Sequence, residues 1–379
     1  MRKIYDVIVV GAGSMGMSAG YELARRGFKT LLIDAFDPPH PNGSHHGEPR
    51  LIRHAYHGGE AYVRLALRAD ERWLELEAAA GEKLLERAGV LNMSDPDVYT
   101  FDGRLDDALK LGVRLEMLDV PEIVKRWPGV RLPDTYRAMY EPDAGYLYSE
   151  RCVAAYKKLA LKAGAELVTN TFVTDVKAEN SIVSVRTKDD TFLAGHVVLS
   201  AGAWFKTLEP FIKLPIRAVR KSVAWFEPRG TLFDAGTFPG FTLGTKAGGY
   251  YGFPNIAGAG VKLGRHDTGV EWTPGEPFEP FGAYPEDEGY LRRTLETFLP
   301  DSAGKLLNGA ACKYELTPDD NFIIDTHPHH SNVILAGGFS GHGFKFASVV
   351  GEIAADLIER RVSDQDLRLF SVARFAVAR

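Results

Sequence analysis

The chain has 379 residues, and its 45 lysines and arginines nearly balance its 50 aspartates and glutamates, for a formal net charge of −5. This globular composition suggests two or three domains, and its dispersed charges argue against a basic nucleic-acid-binding or membrane-binding face. No apolar run approaches the ~20 residues of a membrane helix, and the N-terminus lacks the apolar core of a signal peptide, so we expect a cytoplasmic protein. The two cysteines, Cys152 and Cys312, lie far apart without metal-ligand spacing, and we expect free thiols.

The first predicted elements are a strand at residues 5–10 and a helix at residues 17–26, joined by a glycine-rich turn. That turn consists of Gly11, Ala12, Gly13, Ser14, Met15 and Gly16. Gly11 allows the tight turn, Gly13 lets a pyrophosphate approach the backbone, and Gly16 lets the helix pack closely on the strand. The start of the helix supplies unpaired N–H groups and the positive end of its dipole.

An acidic residue closes the next predicted strand. Asp34 follows residues 30–33 and suits an acceptor for ribose hydroxyls. Together with the glycine-rich turn it predicts a binding site for FAD or NAD, with a plain structural turn as the alternative.

Histidine, arginine, glycine and proline are concentrated between residues 38 and 54. This composition predicts an irregular loop of the kind that handles anions or titrating groups. The alternatives are a solvated basic loop and a zinc site, whose ligands would be His40, His45, His46 and His54. We predict no metal, because no cysteine and no regular histidine pair on a helix accompanies these residues.

The remaining pattern predicts a mixed α/β protein with a discontinuous cofactor domain. A helical period covers residues 62–85, and a helix at 149–163 with strands at 166–169 and 196–200 restores the α/β alternation. Residues 86–145, which include a helix near 120–126, and the strand-rich residues 218–311 predict a second lobe with an antiparallel sheet and a substrate pocket. The strands expected there are 222–226, 250–253 and 260–264, followed by a helix at 285–299.

A second glycine-rich turn, at residues 337–346, follows the apolar strand 332–336 and precedes another helix. A nicotinamide enzyme needs only one such turn. FAD can use the first turn for its pyrophosphate and a late helix N-terminus for the flavin ring, so two turns favour FAD.

Long motifs over nearly the whole chain resemble the monomeric sarcosine oxidase and N-methyltryptophan oxidase family of flavin amine oxidases. The matching segments are 6–16, 43–47 with Arg50, 53–56, 250–254, 312–314 with Asp325, and 338–346. The resemblance implies a Rossmann-like FAD domain with an inserted antiparallel-sheet substrate domain, similar to the p-hydroxybenzoate hydroxylase type. It also implies a monomer that oxidises a small secondary amino acid with O2, using FAD bound covalently through Cys312.

On this basis we predict the FAD domain at residues 1–85, 146–217 and 312–365. The substrate domain is predicted at 86–145 and 218–311, with the tail 366–379 packed on it.

The resemblance assigns roles to individual residues. His46 and Arg50 would help attach the flavin, and Tyr251, His266 and Tyr314 would line the substrate side. The remaining residues expected to contact FAD are Ser44, His45, Val173, Gly341, Gly343, Phe344 and Lys345, in addition to the first glycine-rich turn and Asp34.

Two cations suit a substrate carboxylate on chemical grounds alone. Arg53 has a planar guanidinium that can bind a carboxylate with two hydrogen bonds, and Lys345 lies in the late glycine-rich turn where the flavin ring is expected. Holding the carboxylate would orient the amino acid for hydride transfer from carbon to flavin. The alternatives are a structural ion pair for Arg53 and a surface position for Lys345.

Lys262 interrupts the strand 260–264, and the alternating pattern alone predicts that it faces solvent. The resemblance reverses this expectation and implies that the ammonium group lies near the flavin and assists electron transfer to O2. A cationic neighbourhood would also lower the pKa of the Cys312 thiol.

Two positions depart from the sarcosine enzymes. Thr242 stands where they have a methionine, and Arg265 where they have a tyrosine, which predicts a larger pocket and leaves room for proline, pipecolate or N-methyltryptophan as substrate. Two other classes remain open: an FAD dehydrogenase that uses a carrier instead of O2, and a non-catalytic nucleotide-binding sensor.

Overall fold

The computed structural model describes residues 4–179 and 181–375. The helices are α1 (Ser14–Arg25), α2 (Glu60–Ala80), α3 (Asp102–Lys110), α4 (Val120–Arg126), α5 (Ser149–Lys162), α6 (Glu286–Phe298) and α7 (Ala347–Glu359). The first eight strands are β1 (Ile4–Val10), β2 (Thr30–Ile33), β3 (Arg50–Ile52), β4 (Leu85–Glu86), β5 (Val90–Ser94), β6 (Glu116–Leu118), β7 (Arg137–Glu141) and β8 (Gly145–Leu147). The later strands are β9 (Glu166–Val168), β10 (Val173–Glu179), β11 (Ile182–Thr187), β12 (Thr191–Leu199), β13 (Arg217–Phe226), β14 (Gly240–Thr245), β15 (Gly248–Phe253), β16 (Val261–Arg265), β17 (Val270–Glu271), β18 (Leu306–Leu316), β19 (Ile323–His327) and β20 (His330–Gly337).

The first sheet has a parallel centre in the order β20-β12-β1-β2-β9. Its strands are buried on both faces, which explains their nearly continuous apolar sequence. Helices α1 and α7 pack together against it. They can approach closely because Gly351 of α7 has no side chain: a Cβ at this position would lie only 2.1 Å from Ser18 Oγ of α1.

The second sheet runs in the order β17-β13-β16-β15-β14-β5-β7-β6, and β18 pairs along β13. One face packs against an apolar core that includes Leu291 and Leu295 of α6 and Ile123 of α4. Because side chains alternate along a strand, the opposite face carries a different set of residues, and that face meets the cavity described below. A small third sheet has the order β3-β8-β4. Its strands β4 and β8 lie at the predicted domain boundaries near residues 85 and 146.

The predicted mixed α/β class with a Rossmann-like unit is confirmed. Helix α2 differs from its predicted extent of 62–85, because Gly81 adopts a left-handed conformation with φ of 69° and ends the helix. The predicted boundary at residue 312 falls inside β18, a strand of the second sheet.

The chain end was expected to pack on the substrate domain, but its described part contacts β19 of the first sheet. Ser371 Oγ and Val372 N donate to Asp325 Oδ2 at 2.7 and 2.8 Å, and Phe370 joins a core cluster with α7. A carboxylate on β19 therefore anchors the tail. Among the described residues, no helix combines the length and apolar character needed to cross a membrane.

Candidate active site

A cavity of about 660 Å³ lies between the first glycine-rich turn, the 40–50 loop, the late turn and the second sheet. The predicted site residues that line it are Gly11, Gly13, Ser14, Met15, Asp34, Ser44, His45, Arg50, Arg53, Val173, Thr242, Tyr251, His266, Tyr314, Gly341, Gly343, Phe344 and Lys345. Four predicted site residues, Gly16, His46, Lys262 and Cys312, do not line it. The fold thus gathers most of the predicted residues around one space.

One end of the cavity has the features of a pyrophosphate site. Helix α1 begins after Gly13 without a side-chain cap, so its first N–H groups have no side-chain acceptor. A Cβ on Gly13 would contact only His45, at 3.9 Å, whereas a Cβ on Gly16 would lie 1.9 Å from Gly11 O. Gly13 therefore leaves room for a phosphate, and Gly16 serves helix packing from outside the cavity.

Asp34 is buried at the same end and already accepts three hydrogen bonds. Ala12 N donates to Oδ2 at 2.7 Å, while Phe36 N at 2.8 Å and His40 Nε2 at 3.2 Å contact Oδ1. These bonds fix the orientation of the carboxylate. One lone-pair site, on Oδ2, remains available to a ribose hydroxyl, the role that the sequence predicts.

The 40–50 loop is held by Glu150, at the start of α5. His46 Nδ1 lies 2.8 Å from Glu150 Oε1, and Glu48 N donates to Oε2 at 3.1 Å. Burial acts to raise the pKa of Glu150, but these hydrogen bonds outweigh it and lower the pKa to about 2. His46 is therefore directed to a carboxylate rather than to the cavity, and its predicted part in flavin attachment stays a prediction.

Two further histidines, His45 in this loop and His54 after β3, also make contacts within the protein. Burial lowers the pKa of His45 to about 3, and its Nε2 accepts from His40 N at 3.2 Å. His54 Nε2 pairs with Asp70 at 3.2 Å. In the described residues, no group of three or more His, Cys, Asp or Glu side chains could hold a metal ion.

Arg50 and Lys262 share two main-chain acceptors. Arg50 Nη1 donates to Gly47 O at 2.5 Å and to Pro49 O at 3.0 Å, and Lys262 Nζ donates to the same oxygens at 2.5 and 3.1 Å. The loop carbonyls thus bring two cations together without a carboxylate partner for either among the described ion pairs.

Lys262 is only 1% exposed, so the expectation from strand alternation alone, that it faces solvent, is wrong. Both faces of β16 are covered, one by the apolar core and the other by the 40–50 loop. The ammonium lies 5.0 Å from the Phe253 ring centroid and 5.2 Å from that of Trp225. Burial, followed by the charge of Arg50, lowers the pKa of Lys262 well below its usual value.

Strand register explains why the predicted substrate-side residues meet. Thr242 on β14 pairs with Tyr251 on β15, Tyr251 pairs with Gly264 on β16, and Phe253 pairs with Lys262. Cross-strand partners share a face of the sheet. Residues that are far apart in sequence therefore line one surface next to the cavity.

Cys312 lies on this face of β18, opposite Lys221 of β13. It is 4% exposed, in an apolar cluster with Trp225 and Tyr314. The prediction of a lowered thiol pKa is wrong: burial raises the pKa of Cys312, and the nearby Arg50 and Lys262 offset that rise only in part.

Arg53 and Lys345 converge on the buried ring of Tyr56. The Arg53 guanidinium carbon lies 5.4 Å and Lys345 Nζ 5.1 Å from the ring centroid. Arg53 Nε is buried without a hydrogen-bond partner, and Lys345 Nζ donates to His342 O at 2.6 Å. Burial and the charge of Arg53 lower the pKa of Lys345 well below its usual value. Neither cation has a carboxylate partner among the described ion pairs, so both are available to an anionic ligand.

Asn92, on β5, is a site residue that the sequence analysis missed. It is 1% exposed, and its Oδ1 accepts from Arg53 Nη1 at 2.9 Å and from Thr242 Oγ1 at 3.0 Å. Its Nδ2 donates to Met139 O at 3.1 Å. Asn92 thus orients Arg53, and Thr242 forms part of the same hydrogen-bonded group. A polar residue interrupting the apolar run 90–93 was the available sequence signal.

Two tyrosines and a histidine complete this wall. Tyr314 OH donates to Tyr251 OH at 3.3 Å, and the His266 and Tyr314 ring centroids are 5.8 Å apart. His266 is exposed, but to the cavity, and burial by the surrounding protein together with Lys221 lowers its pKa to about 4. Burial raises the pKa of Tyr251 to about 12, so these groups are neutral at pH 7.

Arg265 does not reach the pocket that it was expected to enlarge. It pairs with Tyr250 across the strands, on the face opposite Tyr251. Its Nε donates to Asp267 at 2.9 Å, and its guanidinium lies 4.3 Å from the Tyr290 ring centroid. The arginine that replaces the tyrosine of the sarcosine enzymes therefore lies on the sheet face that points away from the pocket. Of the two departures from those enzymes, only Thr242 lies in the pocket.

The uncapped helix start, the carboxylate after the second strand and the cation-rich wall define a site of the FAD-dependent oxidoreductase class. The sequence pattern of the family described as FAD dependent oxidoreductase matches residues 6–357, and the chain belongs to this family.

The chain is 45% identical to the monomeric sarcosine oxidase of Bacillus sp. (strain B-0618), over all of this chain and 98% of that protein. It is 42% identical to the N-methyl-L-tryptophan oxidase of Citrobacter koseri, over 98% of this chain and 99% of that protein. The resemblance stated from the motifs is confirmed.

Solved structures support the same fold. NikD, described as an unusual amino acid oxidase essential for nikkomycin biosynthesis, matches with a TM-score of 0.85 and 27% identity, covering 97% of both chains. The L-proline dehydrogenase from P. horikoshii matches with a TM-score of 0.84 over 99% of both chains, and at 23% identity it supports the fold alone.

Proposed function

We propose that this protein is an oxidase of N-methyl or other secondary amino acids, with sarcosine as the first candidate substrate. The reaction would convert sarcosine, O2 and water into glycine, formaldehyde and hydrogen peroxide. The single observation that carries the proposal is the convergence of the half-buried Arg53 and the buried Lys345 beside Tyr56, two cations without carboxylate partners among the described ion pairs, in the cavity of a family that uses FAD. When bound, FAD would accept the hydride and pass the electrons to O2.

The protein's own part is to bind and orient the substrate. Arg53, oriented by Asn92, and Lys345 would hold the carboxylate, so that the amine lies toward the wall formed by Tyr251, Tyr314 and His266. These three groups carry no charge at pH 7, which suits an amine that must react as the neutral base. Apolar burial around the cations excludes water and strengthens their hold on the carboxylate.

We further propose that FAD is attached covalently through Cys312, and that Lys262 stabilises the negative charge that O2 acquires on reduction. The position of both residues on the sheet face with Tyr251 and Tyr314 supports these roles. The monomeric state and the cytoplasmic location expected from the sequence remain predictions, the first supported by the name of the relatives.

A cyclic or bulkier secondary amino acid is the second candidate, because Thr242 places a short side chain on the cavity wall. The test is a panel of sarcosine, N-methylalanine, proline, pipecolate and N-methyltryptophan, assayed by peroxide release, with dimethylamine as the control without a carboxylate. Turnover of at least one amino acid and none of dimethylamine supports the proposal. Turnover of dimethylamine alone would refute it.

A further inference from the structure

Arg104, on α3, is a third cation of the same cavity. It is 9% exposed and lines the cavity together with Arg53 and Lys345. Its Nε is buried without a hydrogen-bond partner, and no described carboxylate forms an ion pair with it. Its polar contact is a long one of 3.5 Å from Nη2 to Nδ1 of His57, and its guanidinium carbon lies 4.9 Å from the Tyr99 ring centroid. A buried guanidinium with so few partners is unusual unless a ligand completes its hydrogen bonds.

His57 connects Arg104 to the proposed carboxylate site. The His57 ring stacks on Tyr56 at a centroid distance of 4.9 Å, and Tyr56 is the ring that Arg53 and Lys345 share. His57 is exposed, but to the cavity, and enclosure by the surrounding protein together with the charge of Arg104 lowers its pKa to about 3, so the imidazole adds no further charge at pH 7.

The charges on this side of the cavity do not balance. Of the carboxylates that line the cavity, Asp34, Glu315 and Asp320, none forms a described ion pair with the three cations. Glu141 is a buried carboxylate that accepts from His54 N and Ala55 N, and it is the one negative charge that acts on both Arg104 and Lys345 among the described interactions. One substrate carboxylate would use Arg53 and Lys345 and leave Arg104 unpaired.

We propose that Arg104 binds a second carboxylate of the substrate, so that the preferred substrates are secondary amino acids with two carboxylates, such as N-methylaspartate. This inference rests on the proposed function and specifies the substrate class of the same site. Two substrate carboxylates together with Glu141 would balance the charges of the three cations, and a guanidinium suits a carboxylate through paired hydrogen bonds.

The test compares two unreactive ligands in which sulfur replaces the amine nitrogen. Methylthioacetate carries one carboxylate and 2-(methylthio)succinate carries two, and both can be titrated into the FAD-loaded protein while the flavin absorbance is followed. We expect the dicarboxylate to bind about 10- to 100-fold more tightly, the range of one charge-assisted hydrogen-bonded pair. Arg104→Gln should reduce this ratio to near one, and Arg104→Lys should retain part of it.

Arg114→Gln is the matched control, because it removes the same charge from an exposed arginine that pairs with Asp143 at 2.6 Å outside the cavity. It should leave the ratio at the wild-type value. A parallel peroxide assay with N-methylaspartate and N-methylasparagine, which differ in one charge at nearly constant shape, should give the same order of preference.

A wild-type affinity ratio near one, or a ratio that survives in Arg104→Gln, would overturn the role of Arg104. That result combined with turnover of sarcosine would leave the proposed function intact. Absence of methylthioacetate binding together with inert secondary amino acids would instead reject the proposed function itself. The wild-type comparison needs no variant, so the inference is tested even where Arg104→Gln does not fold.

Discussion

Replacing Lys262 with methionine should separate oxygen chemistry from stability. The variant removes a buried ammonium that contacts Gly47 O and Pro49 O, and both oxygens keep Arg50 as a donor. No buried acceptor is therefore left unpaired. Exchanging a buried charge for an apolar side chain of similar length is often neutral or stabilising, so we expect the free energy of unfolding to stay constant or rise by about 0 to 2 kcal/mol.

Reoxidation of the reduced flavin by O2 should respond quite differently. Loss of one preorganised charge in a dry site lowers rates by about 10²- to 10³-fold, and we expect that decrease for Lys262→Met with a smaller effect on reduction by substrate. Stopped-flow absorbance, with anaerobic reduction followed by mixing with O2, measures both steps. Lys246→Met is the control, because Lys246 is an exposed lysine of the same sheet region that pairs with Asp97 at 2.7 Å.

The pH dependence gives a second measurement on the same residue. Burial and Arg50 lower the pKa of Lys262, so its charge is present below that depressed pKa and is lost above it. The wild-type reoxidation rate should therefore fall as the pH rises through this value, and Lys262→Met should lack this step. Unchanged reoxidation in a variant with full flavin content would refute the oxygen role.

The remaining predictions concern binding and attachment. Arg53→Ala should lower kcat/KM by the equivalent of about 2 to 5 kcal/mol, because the substrate carboxylate would face a partly dry pocket with one partner; equal kinetics for wild type and variant would contradict this. Cys312→Ala should release its flavin on acid denaturation, and flavin that stays with the precipitated variant would place the linkage elsewhere. Asn92→Ala should raise KM and destabilise the fold by about 1 to 3 kcal/mol, since Arg53 and Thr242 lose their shared acceptor, whereas Thr242→Val should have a smaller effect on both quantities. Thr242→Met should narrow the substrate range in the peroxide assay, and an unchanged range would show that this position does not select substrates.

The cofactor half of the site could be predicted from the sequence because its signals are local. A strand, a glycine-rich turn, a helix and an acidic residue follow one another within residues 5–34, and each has a steric or electrostatic reason at its own position. The same holds for the turn before α7. The structure of such a segment depends mainly on its own residues, so it can be predicted without knowledge of the tertiary contacts.

The substrate half depends on strand register, which the sequence does not display. Strand alternation alone predicts that Lys262 faces solvent, because the loop that covers it lies more than two hundred residues earlier in the chain, and the opposite expectation comes only from the family resemblance. Arg265 was placed in the pocket, although its register with Tyr250 directs it to the opposite face. Asn92 and Arg104 were missed because the short elements around them give weak periodic signals, and their partners come from other strands and loops.

The pKa of Cys312 was mispredicted for a related reason. The sequence indicated cations nearby, and the structure contains them, but a complete enclosure in an apolar cluster raises the thiol pKa more than these charges lower it. The balance between burial and charge is decided by three-dimensional packing, which residue types alone do not specify.

The most direct test of the central claim is anaerobic mixing of the purified yellow protein with sarcosine and with the rest of the secondary amino acid panel. We expect that at least one of them bleaches the flavin absorbance, and that admission of O2 restores the colour with one equivalent of hydrogen peroxide. A flavin that stays oxidised with every amino acid of the panel would contradict the account, as would a reduced flavin that O2 fails to reoxidise.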